Sequence, residues 1–304
     1  MSLYLKYRPD SLESVKGNET IIASLEGMLS KPETCPHVFL FHGATGCGKT
    51  TLGRIVANRL GCVGADLREL DSADFRGIDI IREIRKNSQF KPLQGAVRVW
   101  IMDEVHKCTN DAQNALLKIL EDTPSHVYFI LCTTDPQKLL SAIRGRCIEM
   151  QVKPLTDLQM KGLLRGIVRS EGEKLEPEIY TQIIQDSQGH PRNAIQILEQ
   201  VLNVAEDKRL EVAQRTAELQ SQSIELCRLL LKGGVRWKEV STILAGLKDQ
   251  EPEDIRRVVM GYCSAVLMKT DNTRAAMVLE CFLEPFFTNG FPSLVFSCYQ
   301  VIKG

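Results

Sequence analysis

The chain has 304 residues, of which 43% are hydrophobic and 25% are charged, a composition typical of a globular protein with two or three domains. Lys and Arg together number 38, as do Asp and Glu, so overall charge gives no sign of a polyanionic partner. Any nucleic-acid binding must therefore come from local clusters of basic residues. The termini carry neither an apolar run of about 20 residues nor the layout of a signal peptide, which predicts a cytoplasmic protein without a membrane partner.

Short apolar runs alternate with helical segments in the first half of the chain. The predicted strands are residues 38–41, 67–70, 97–102, 128–132 and 148–152, and the predicted helices between them include 50–60, 79–86 and 111–121. This alternation predicts right-handed crossovers and a parallel sheet that is covered on both faces. Nucleotides bind such sheets at the carboxyl ends of the strands.

The strand signals stop after Lys153-Pro154. Helices are predicted at 156–169, at 178–187 and from Pro191, and this small helical domain ends near residue 206. A polar stretch, 206–222, leads into an all-helical segment with helical apolar spacing at 224–231, 254–268 and 274–287. The predicted domains are residues 1–153, 154–207 and 208–304.

The ten cysteines are scattered, and no two of them form a C-x-x-C pair. Many lie inside apolar runs, as buried thiols do in proteins of a reducing compartment. Metal-ligand spacing is missing, so no zinc site is expected.

Residues 43–50 match the phosphate-binding pattern G-x-x-x-x-G-K-[ST] in full, between an apolar strand and a helix. The glycines let backbone N–H groups wrap a phosphate, and the positive end of the helix points at it. Lys49 is predicted to neutralise the β- and γ-phosphates and Thr50 to bind Mg²⁺. The nucleotide-binding residues predicted here are Gly43, Ala44, Thr45, Gly46, Cys47, Gly48, Lys49, Thr50 and Thr51. A chance glycine turn is the alternative.

An apolar strand ends in two carboxylates, Asp103 and Glu104. A carboxylate at a strand tip beside a phosphate-binding loop is the expected second Mg²⁺ contact, here Asp103. Glu104 fits a general base that polarises the attacking water. The pair favours hydrolysis over transfer to a small molecule, although an acidic, solvated strand end is the alternative.

Several motifs in the expected order resemble one family. They are Lys6-Tyr7-Arg8-Pro9, Asp103-Glu104-Val105-His106, residues 114–121, residues 133–139 and Gly189-His190-Pro191-Arg192. Together they resemble the clamp-loader family of AAA+ ATPases, nearest to the bacterial polymerase III γ/τ subunit and then to the replication factor C small subunits. The motifs cover roughly residues 4–200. The resemblance implies an α/β P-loop AAA+ domain with a parallel sheet, a small helical lid and an all-α C-terminal collar domain.

The resemblance also implies roles for individual residues. Thr134 becomes sensor 1, and Arg192 becomes sensor 2, which reaches the γ-phosphate of ATP from the lid. Arg146 becomes an arginine finger that acts on the ATP of the neighbouring subunit. The residues expected to line the adenine pocket are Tyr7, Arg8, Pro9, Val15 and Gly17. A surface ion pair for Arg146 and an ordinary core position for Tyr7 are the alternatives.

Three features depart from the family. Gly145 replaces the serine that usually precedes the finger arginine, and Leu12 replaces an aromatic residue. The four-cysteine zinc module of bacterial γ/τ is missing between the P-loop and the paired acids. The missing zinc module indicates a divergent bacterial protein or a phage-encoded one that acts in the host cytoplasm, whereas Leu12 is expected to be a tolerated core substitution.

DNA and clamp contacts are implied on the segment after the second strand. Arg76, Arg82 and Lys86 are the candidates for sequence-independent contact with phosphates of primed duplex DNA. A solvated helix face that pairs with Asp79 and Glu83 is the alternative. Gln89, Phe90 and Leu93 fall where the family touches the sliding clamp, with local packing as the alternative.

The predicted function is that of an ATP-hydrolysing subunit which, with Mg²⁺, opens the clamp and loads it on primed DNA. The partners are the clamp, the DNA and other subunits in a five-membered ring or spiral. Two alternatives stay open. One is a structural clamp-loader subunit that does not hydrolyse ATP, and the other is a different DNA-linked AAA+ machine, such as a branch-migration helicase or a remodeller.

Overall fold

The computed structural model describes residues 1–71, 77–248, 250–268, 270–286 and 290–303, and for residues 211 and 214–221 the backbone alone. Contacts divide the chain into two compact units, Met1–Val204 and Ala205–Gly304. The first unit holds both the predicted α/β domain and the predicted small helical domain. No described helix is long and apolar enough to cross a membrane.

The first unit is built on one parallel sheet, as the sequence predicts. Its strands are β1 Val38–His42, β2 Leu67–Leu70, β3 Arg98–Met102, β4 Val127–Thr133 and β5 Ile148–Gln151, in the order β2-β3-β4-β1-β5. Strand β4 is buried along its whole length and lies between β3 and β1. This explains its unbroken apolar sequence, because a central parallel strand is covered on both faces.

Alternate residues of each strand point to opposite faces of the sheet, and each face has its own core. One core contains Phe39, Phe41, Ile101 and Ile130, and the other contains Leu40, Trp100, Phe129 and Leu131. Leu12 is 1% exposed in the first of these cores, so it occupies a packed position.

The helices of the first unit cover both faces of the sheet and continue into the lid. They are α1 Leu3–Lys6, α2 Glu19–Leu29, α3 Lys49–Arg59, α4 Ile78–Ser88, α5 Asn110–Glu121, α6 Ser141–Arg144, α7 Asp157–Ser170, α8 Pro177–Ser187 and α9 Pro191–Leu202. The lid begins at a capping box, in which Thr156 and Gln159 each bond the other's backbone N–H at 3.3 and 3.0 Å. Pro191 opens α9, where its missing N–H is not needed.

The second unit is helical in its described residues. Its helices are α10 Arg209–Leu231, α11 Trp237–Gly246, α12 Pro252–Leu267, α13 Thr273–Cys281 and α14 Phe291–Lys303. The stretch 206–222, predicted to be a polar lead-in, is helical from residue 209 onward, because it is rich in helix-forming residues and contains no glycine or proline. Helix α13 ends at Cys281, short of the predicted end at 287, because Pro285 disfavours helical backbone before it. Residue 287 itself lies outside the described residues.

A buried carboxylate fixes the loop that follows α4. Asp66 is 0% exposed and accepts hydrogen bonds from the backbone N–H groups of Leu93, Gln94 and Gly95 at 2.7–2.9 Å. Burial alone would raise the pKa of Asp66, but these three bonds and the Arg98 guanidinium lower it to about 2. Asp66 therefore holds residues 93–95 in one conformation.

We expect Asp66→Asn to lower the free energy of unfolding by about 3 kcal/mol, because the amide keeps only one of the two accepting oxygens and loses the charge that pairs with the buried Arg98 guanidinium. The pKa of Asp66 is depressed from 3.8, so its stabilisation is fully present above about pH 4 and is lost as the pH falls towards 2. Urea unfolding at pH 6 and pH 3, followed by Trp100 fluorescence in a Trp237→Phe background, measures the first unit. The difference between wild type and variant should shrink at pH 3.

The matched control is Asp79→Asn, since the Asp79 side chain is 91% exposed and pairs with Arg82 at the surface. This change should shift stability by less than about 0.5 kcal/mol. Equal losses in the two variants would contradict the role given to Asp66.

Candidate functional site

Three strands end at the same edge of the sheet and bring the predicted catalytic residues together. In the strand register, His42 of β1 lies opposite Thr133 of β4, and Met102 of β3 lies opposite Leu131. The residues that follow these strands are Gly43, Asp103 and Thr134, which belong to three separate motifs of the sequence. The parallel topology therefore assembles the site.

The loop between β1 and α3 has the backbone of a phosphate cradle. Gly43, Gly46 and Gly48 all have positive φ values, of 145°, 77° and 103°. A Cβ on Gly43 would lie 2.1 Å from the carbonyl oxygen of Val152, so no larger residue fits there. Lys49 is 6% exposed and donates hydrogen bonds to the carbonyl oxygens of Gly43 and Ala44 at 2.9 and 3.0 Å. Its ammonium group is thus held over the loop.

The two predicted Mg²⁺ ligands are neighbours. The Thr50 hydroxyl donates to Asp103 Oδ2 at 2.8 Å, and Asp103 Oδ1 accepts the backbone N–H of Glu104 at 3.0 Å. A hydroxyl and a carboxylate are the hard oxygen donors that Mg²⁺ prefers, and Mg²⁺ takes its other ligands from phosphate and water. These two residues therefore fit the ion.

The backbone of Glu104 has an uncommon conformation, and its carboxylate contacts two other side chains. Its φ and ψ of 53° and 42° lie in the left-handed region, which is uncommon for a residue other than glycine. Its Oε2 accepts from the Thr134 hydroxyl at 2.9 Å and lies 3.1 Å from His106 Nδ1. A carboxylate at this distance favours the tautomer that carries a proton on Nδ1. The sequence predicted a role in the site for Thr134, but it did not predict that His106 contacts the Glu104 carboxylate.

His106 is largely buried behind Glu104. Its Nδ1 also lies 2.9 Å from Thr133 Oγ1, and burial lowers the pKa of its ring. The imidazole therefore stays neutral at neutral pH and holds Glu104 without adding a full positive charge.

Most of the predicted nucleotide-binding residues line one cleft beside the P-loop. Those in the cleft wall are Tyr7, Arg8, Pro9, Val15, Thr45, Gly46, Cys47, Gly48, Lys49, Thr50, Thr51 and Arg192, together with Asp103 and Glu104. Gly43 and Ala44 lie behind it and bond Lys49. Gly17 is not part of the cleft wall, and a Cβ on it would lie 2.7 Å from Leu155 Cδ2.

The cleft carries positive charge on several sides. Arg8 donates from Nε to the Thr51 hydroxyl at 3.0 Å. Burial lowers the pKa of Arg8, and the nearby charges of Arg54 and Arg192 lower it further. This grouping of cations suits a ligand with several negative charges.

Helix α9 of the lid forms the part of the cleft wall that lies beside the P-loop. Arg192, in the first turn of α9, donates from Nη2 to the Tyr4 hydroxyl at 3.0 Å, and its Nε is buried without a hydrogen-bond partner among the described residues. His190 Nδ1 lies 3.3 Å from Cys47 Sγ, and burial raises the pKa of that thiol. Arg192 therefore forms part of the cleft wall with some of its hydrogen-bond donors unpaired among the described residues.

Arg146 lies elsewhere on the first unit. It follows α6, pairs with Glu121 and donates to the carbonyl oxygen of Ala142 at 2.9 Å. Its side chain is 38% exposed and is absent from the wall of the cleft. Arg146 therefore does not contact the nucleotide cleft of its own chain.

The predicted DNA contacts are only partly described. Arg76 lies outside the described residues, while Arg82 and Lys86 are exposed on α4. Arg82 pairs with Asp79 at 3.1 Å and lines a groove between α4 and α5 that also contains Arg85 and Lys118. These last two residues were not identified from the sequence, because only the packing of α4 against α5 brings them to one groove.

Two exposed apolar side chains mark the predicted clamp contact. Phe90 and Leu93 are 58% and 75% exposed, and Gln89 is exposed beside them. Two contacts hold the backbone of this loop: Asp66 accepts the N–H of Leu93, and His126 Nε2 lies 3.0 Å from the carbonyl oxygen of Phe90.

All ten cysteines are free. Among the described residues, no group of three His, Cys, Asp or Glu side chains is placed to hold a metal ion.

The fold and the site together define a P-loop protein with the AAA+ fold. Solved structures agree on the fold: the RuvB Holliday junction branch migration motor of Thermotoga maritima aligns with a TM-score of 0.61 over 79% of this chain and 85% of that chain. The two sequences are 21% identical, so this likeness shows the fold alone.

Sequence comparisons give a narrower resemblance. Residues 66–156 match the family model described as DNA polymerase III, delta subunit. The DNA polymerase III subunit gamma/tau of Mycobacterium tuberculosis is 36% identical over 230 residues, which cover 68% of this chain and 40% of that protein. The subunit tau of Escherichia coli is 32% identical over 218 residues, or 65% of this chain and 34% of that protein.

The predicted resemblance to γ/τ subunits is therefore confirmed. This chain nevertheless spans only about a third to two fifths of the length of these relatives.

Proposed function

We propose that this chain is an ATP-hydrolysing subunit of a sliding-clamp loader, and that it acts in the cytoplasm of a bacterium or of a phage-infected cell. The observation that carries the proposal is the group formed by Lys49, Thr50, Asp103 and Glu104 at one edge of the sheet. The motif resemblance to γ/τ subunits supplies the process in which such a site would work.

Each residue of this group has a separate task in the proposed reaction. Lys49 exchanges its bonds to the loop carbonyl groups for the β- and γ-phosphates of ATP. Thr50 and Asp103 hold Mg²⁺, which when bound neutralises charge on the phosphates. Glu104 accepts a proton from the attacking water, and Thr134 and His106 fix the direction of its carboxylate.

The two arginines complete the site from different subunits. Arg192 reaches the γ-phosphate from the lid of the same chain. Arg146 offsets charge on the phosphoryl group bound by the adjacent subunit. Because the finger of one subunit serves the next, the proposal requires an assembly, and we propose a five-membered ring or spiral.

DNA and clamp contacts belong to the segment that follows β2. Arg82 and Lys86, with Arg85 and Lys118 beside them, offer phosphate contacts that do not depend on sequence. Gln89, Phe90 and Leu93 offer an apolar contact to the clamp, on a loop that Asp66 preorganises. Arg76 stays a candidate for the DNA contact.

A different AAA+ machine would use the same ATP site, and the likeness to RuvB does not favour one, since it is a likeness of fold. An ATPase assay with primed duplex, a four-way junction and a sliding clamp distinguishes a clamp-loader subunit from another AAA+ machine. Joint stimulation of hydrolysis by primed duplex and clamp, in the presence of partner subunits, supports the proposal. Stimulation by the four-way junction alone, with no response to the clamp, contradicts it.

Arg82 should contribute one phosphate contact. We expect Arg82→Ala to reduce the slope of log affinity against log salt by about 1 for a primer-template, with similar losses for unrelated DNA sequences. Binding is measured across a salt series with an ATP analogue present, and DNA-stimulated hydrolysis should fall in parallel.

The control for this experiment is Arg236→Ala, because Arg236 is also an exposed member of an i,i+3 ion pair, with Glu239 at 3.3 Å. Its salt slope should match the wild type. A wild-type slope and full DNA stimulation in Arg82→Ala would mean that Arg82 serves only its pair with Asp79.

A further inference from the structure

We propose that Tyr4 is a positioning residue for Arg192 and so sets how strongly the site prefers ATP to ADP. This inference rests on the proposed function, because it assigns Arg192 to the γ-phosphate. Tyr4 was not identified from the sequence, since it precedes the Lys6-Tyr7-Arg8-Pro9 motif and carries no signature of its own.

Two different contacts join the side chains. The guanidinium carbon of Arg192 lies 4.9 Å from the centre of the Tyr4 ring, and Arg192 Nη2 donates to the Tyr4 hydroxyl at 3.0 Å. A cation over an aromatic ring is attracted by the negative face of the ring, and the hydrogen bond adds a direction. Tyr4 thereby restricts the guanidinium to one side of the cleft, which both residues line.

Tyr4 leaves the guanidinium with donors that a phosphate can use. It accepts one of the two N–H groups of Arg192 Nη2, and Nε has no partner among the described residues. A phosphate oxygen that enters the cleft can therefore bond the arginine while Tyr4 stays bound to it. Tyr4 holds the arginine without saturating it.

The helix that carries Tyr4 is itself fixed to the lid. Glu199, seven residues after Arg192 on α9, accepts the backbone N–H of Leu3 at 3.1 Å and the hydroxyl of Ser2 at 3.0 Å. Seven residues are two turns, so Glu199 and Arg192 present the same face of α9 to α1. Helix α1 is therefore attached to α9 both at Glu199 and at Arg192, which holds Tyr4 beside the arginine.

The same segment continues to the P-loop helix. Lys6 and Tyr7 both bond Glu171 at the end of α7, and Arg8 donates to Thr51 of α3 at 3.0 Å. Residues 2–8 thus link two lid helices to the helix that follows the P-loop. This attachment explains how Tyr4 keeps the arginine at the phosphate end of the cleft.

The test is a double-mutant cycle between Tyr4 and Arg192. Dissociation constants for a non-hydrolysable ATP analogue and for ADP are measured for wild type, Tyr4→Phe, Tyr4→Leu, Arg192→Ala and the double variant Tyr4→Leu with Arg192→Ala. We expect Tyr4→Leu to weaken binding of the ATP analogue about tenfold and binding of ADP by less than about twofold. Tyr4→Phe keeps the ring and should lose about threefold.

In the Arg192→Ala background, Tyr4→Leu should change ATP-analogue binding by less than about twofold, because the partner through which Tyr4 acts is gone. Leu5→Ala is the control, since Leu5 is 50% exposed on the same helix and does not line the cleft. It should bind both nucleotides as the wild type does.

Equal weakening of ATP-analogue and ADP binding by Tyr4→Leu, the same loss with and without Arg192, or tighter ATP-analogue binding in Tyr4→Leu would each overturn the inference. Lys49→Ala separates this failure from failure of the proposed function. If wild type binds nucleotide and Lys49→Ala does not, the ATP site stands and only the role of Tyr4 is lost. If wild type binds no nucleotide, the proposed function fails with it.

Discussion

Glutamine in place of Glu104 should leave ATP affinity within about threefold of wild type and reduce turnover at least about 10²-fold, the usual contribution of a general base. Glutamine has the same shape, and its amide oxygen can still accept from the Thr134 hydroxyl, which lies 2.9 Å from Oε2 in the wild type. It cannot accept a proton from water. Steady-state hydrolysis and the binding of a fluorescent ATP analogue measure the two effects separately.

The control for this separation is Lys49→Ala. Lys49 acts on phosphate charge in the bound state, so its loss should abolish binding and turnover together. Wild-type hydrolysis by Glu104→Gln would remove Glu104 from the mechanism, and Thr134 with Asp103 would then be the groups to examine for activation of the water.

The second large effect concerns Arg146, which should act between subunits. Arg146→Ala should reduce hydrolysis by about 10³–10⁵-fold, the range for an arginine finger. Mixing Arg146→Ala subunits, which keep the P-loop, with Lys49→Ala subunits, which keep the arginine, should restore part of the activity. Hydrolysis is measured at fixed total protein while the ratio of the two variants is changed.

Arg144→Ala is the matched control, because Arg144 lies two residues away and pairs with Glu149 at 2.8 Å on the surface. It should hydrolyse ATP at close to the wild-type rate. If the mixed variants assemble, as judged by sedimentation, and yet remain as inactive as each one alone, the action of Arg146 between subunits is wrong.

The sheet could be predicted because its signals are local. Each strand begins and ends within two residues of its predicted bounds, and the P-loop lies between a strand and a helix as its motif requires. The order β2-β3-β4-β1-β5 could not be predicted in this way, since it depends on which distant strands pair.

The site residues that could not be predicted depend on contacts between separate parts of the sequence. Tyr4 acts through a partner that is 188 residues away in the sequence, and His106 contacts Thr133, which is 27 residues away; no periodicity records such contacts. Arg85 and Lys118 come together only when α4 packs against α5. Helix α10 was missed for a local reason: the polar composition of its first half hid a helix that its high propensity favours.

The left-handed backbone of Glu104 lowers the stability of the fold at a position that the proposed hydrolysis requires. A non-glycine residue in this region costs of order 1 kcal/mol, and the cost recurs in every folded molecule whether or not ATP is bound. Glycine there would relieve this strain, but it would leave no carboxylate beside the P-loop. The stability that the chain gives up at this position is therefore tied to the group that the proposed hydrolysis needs.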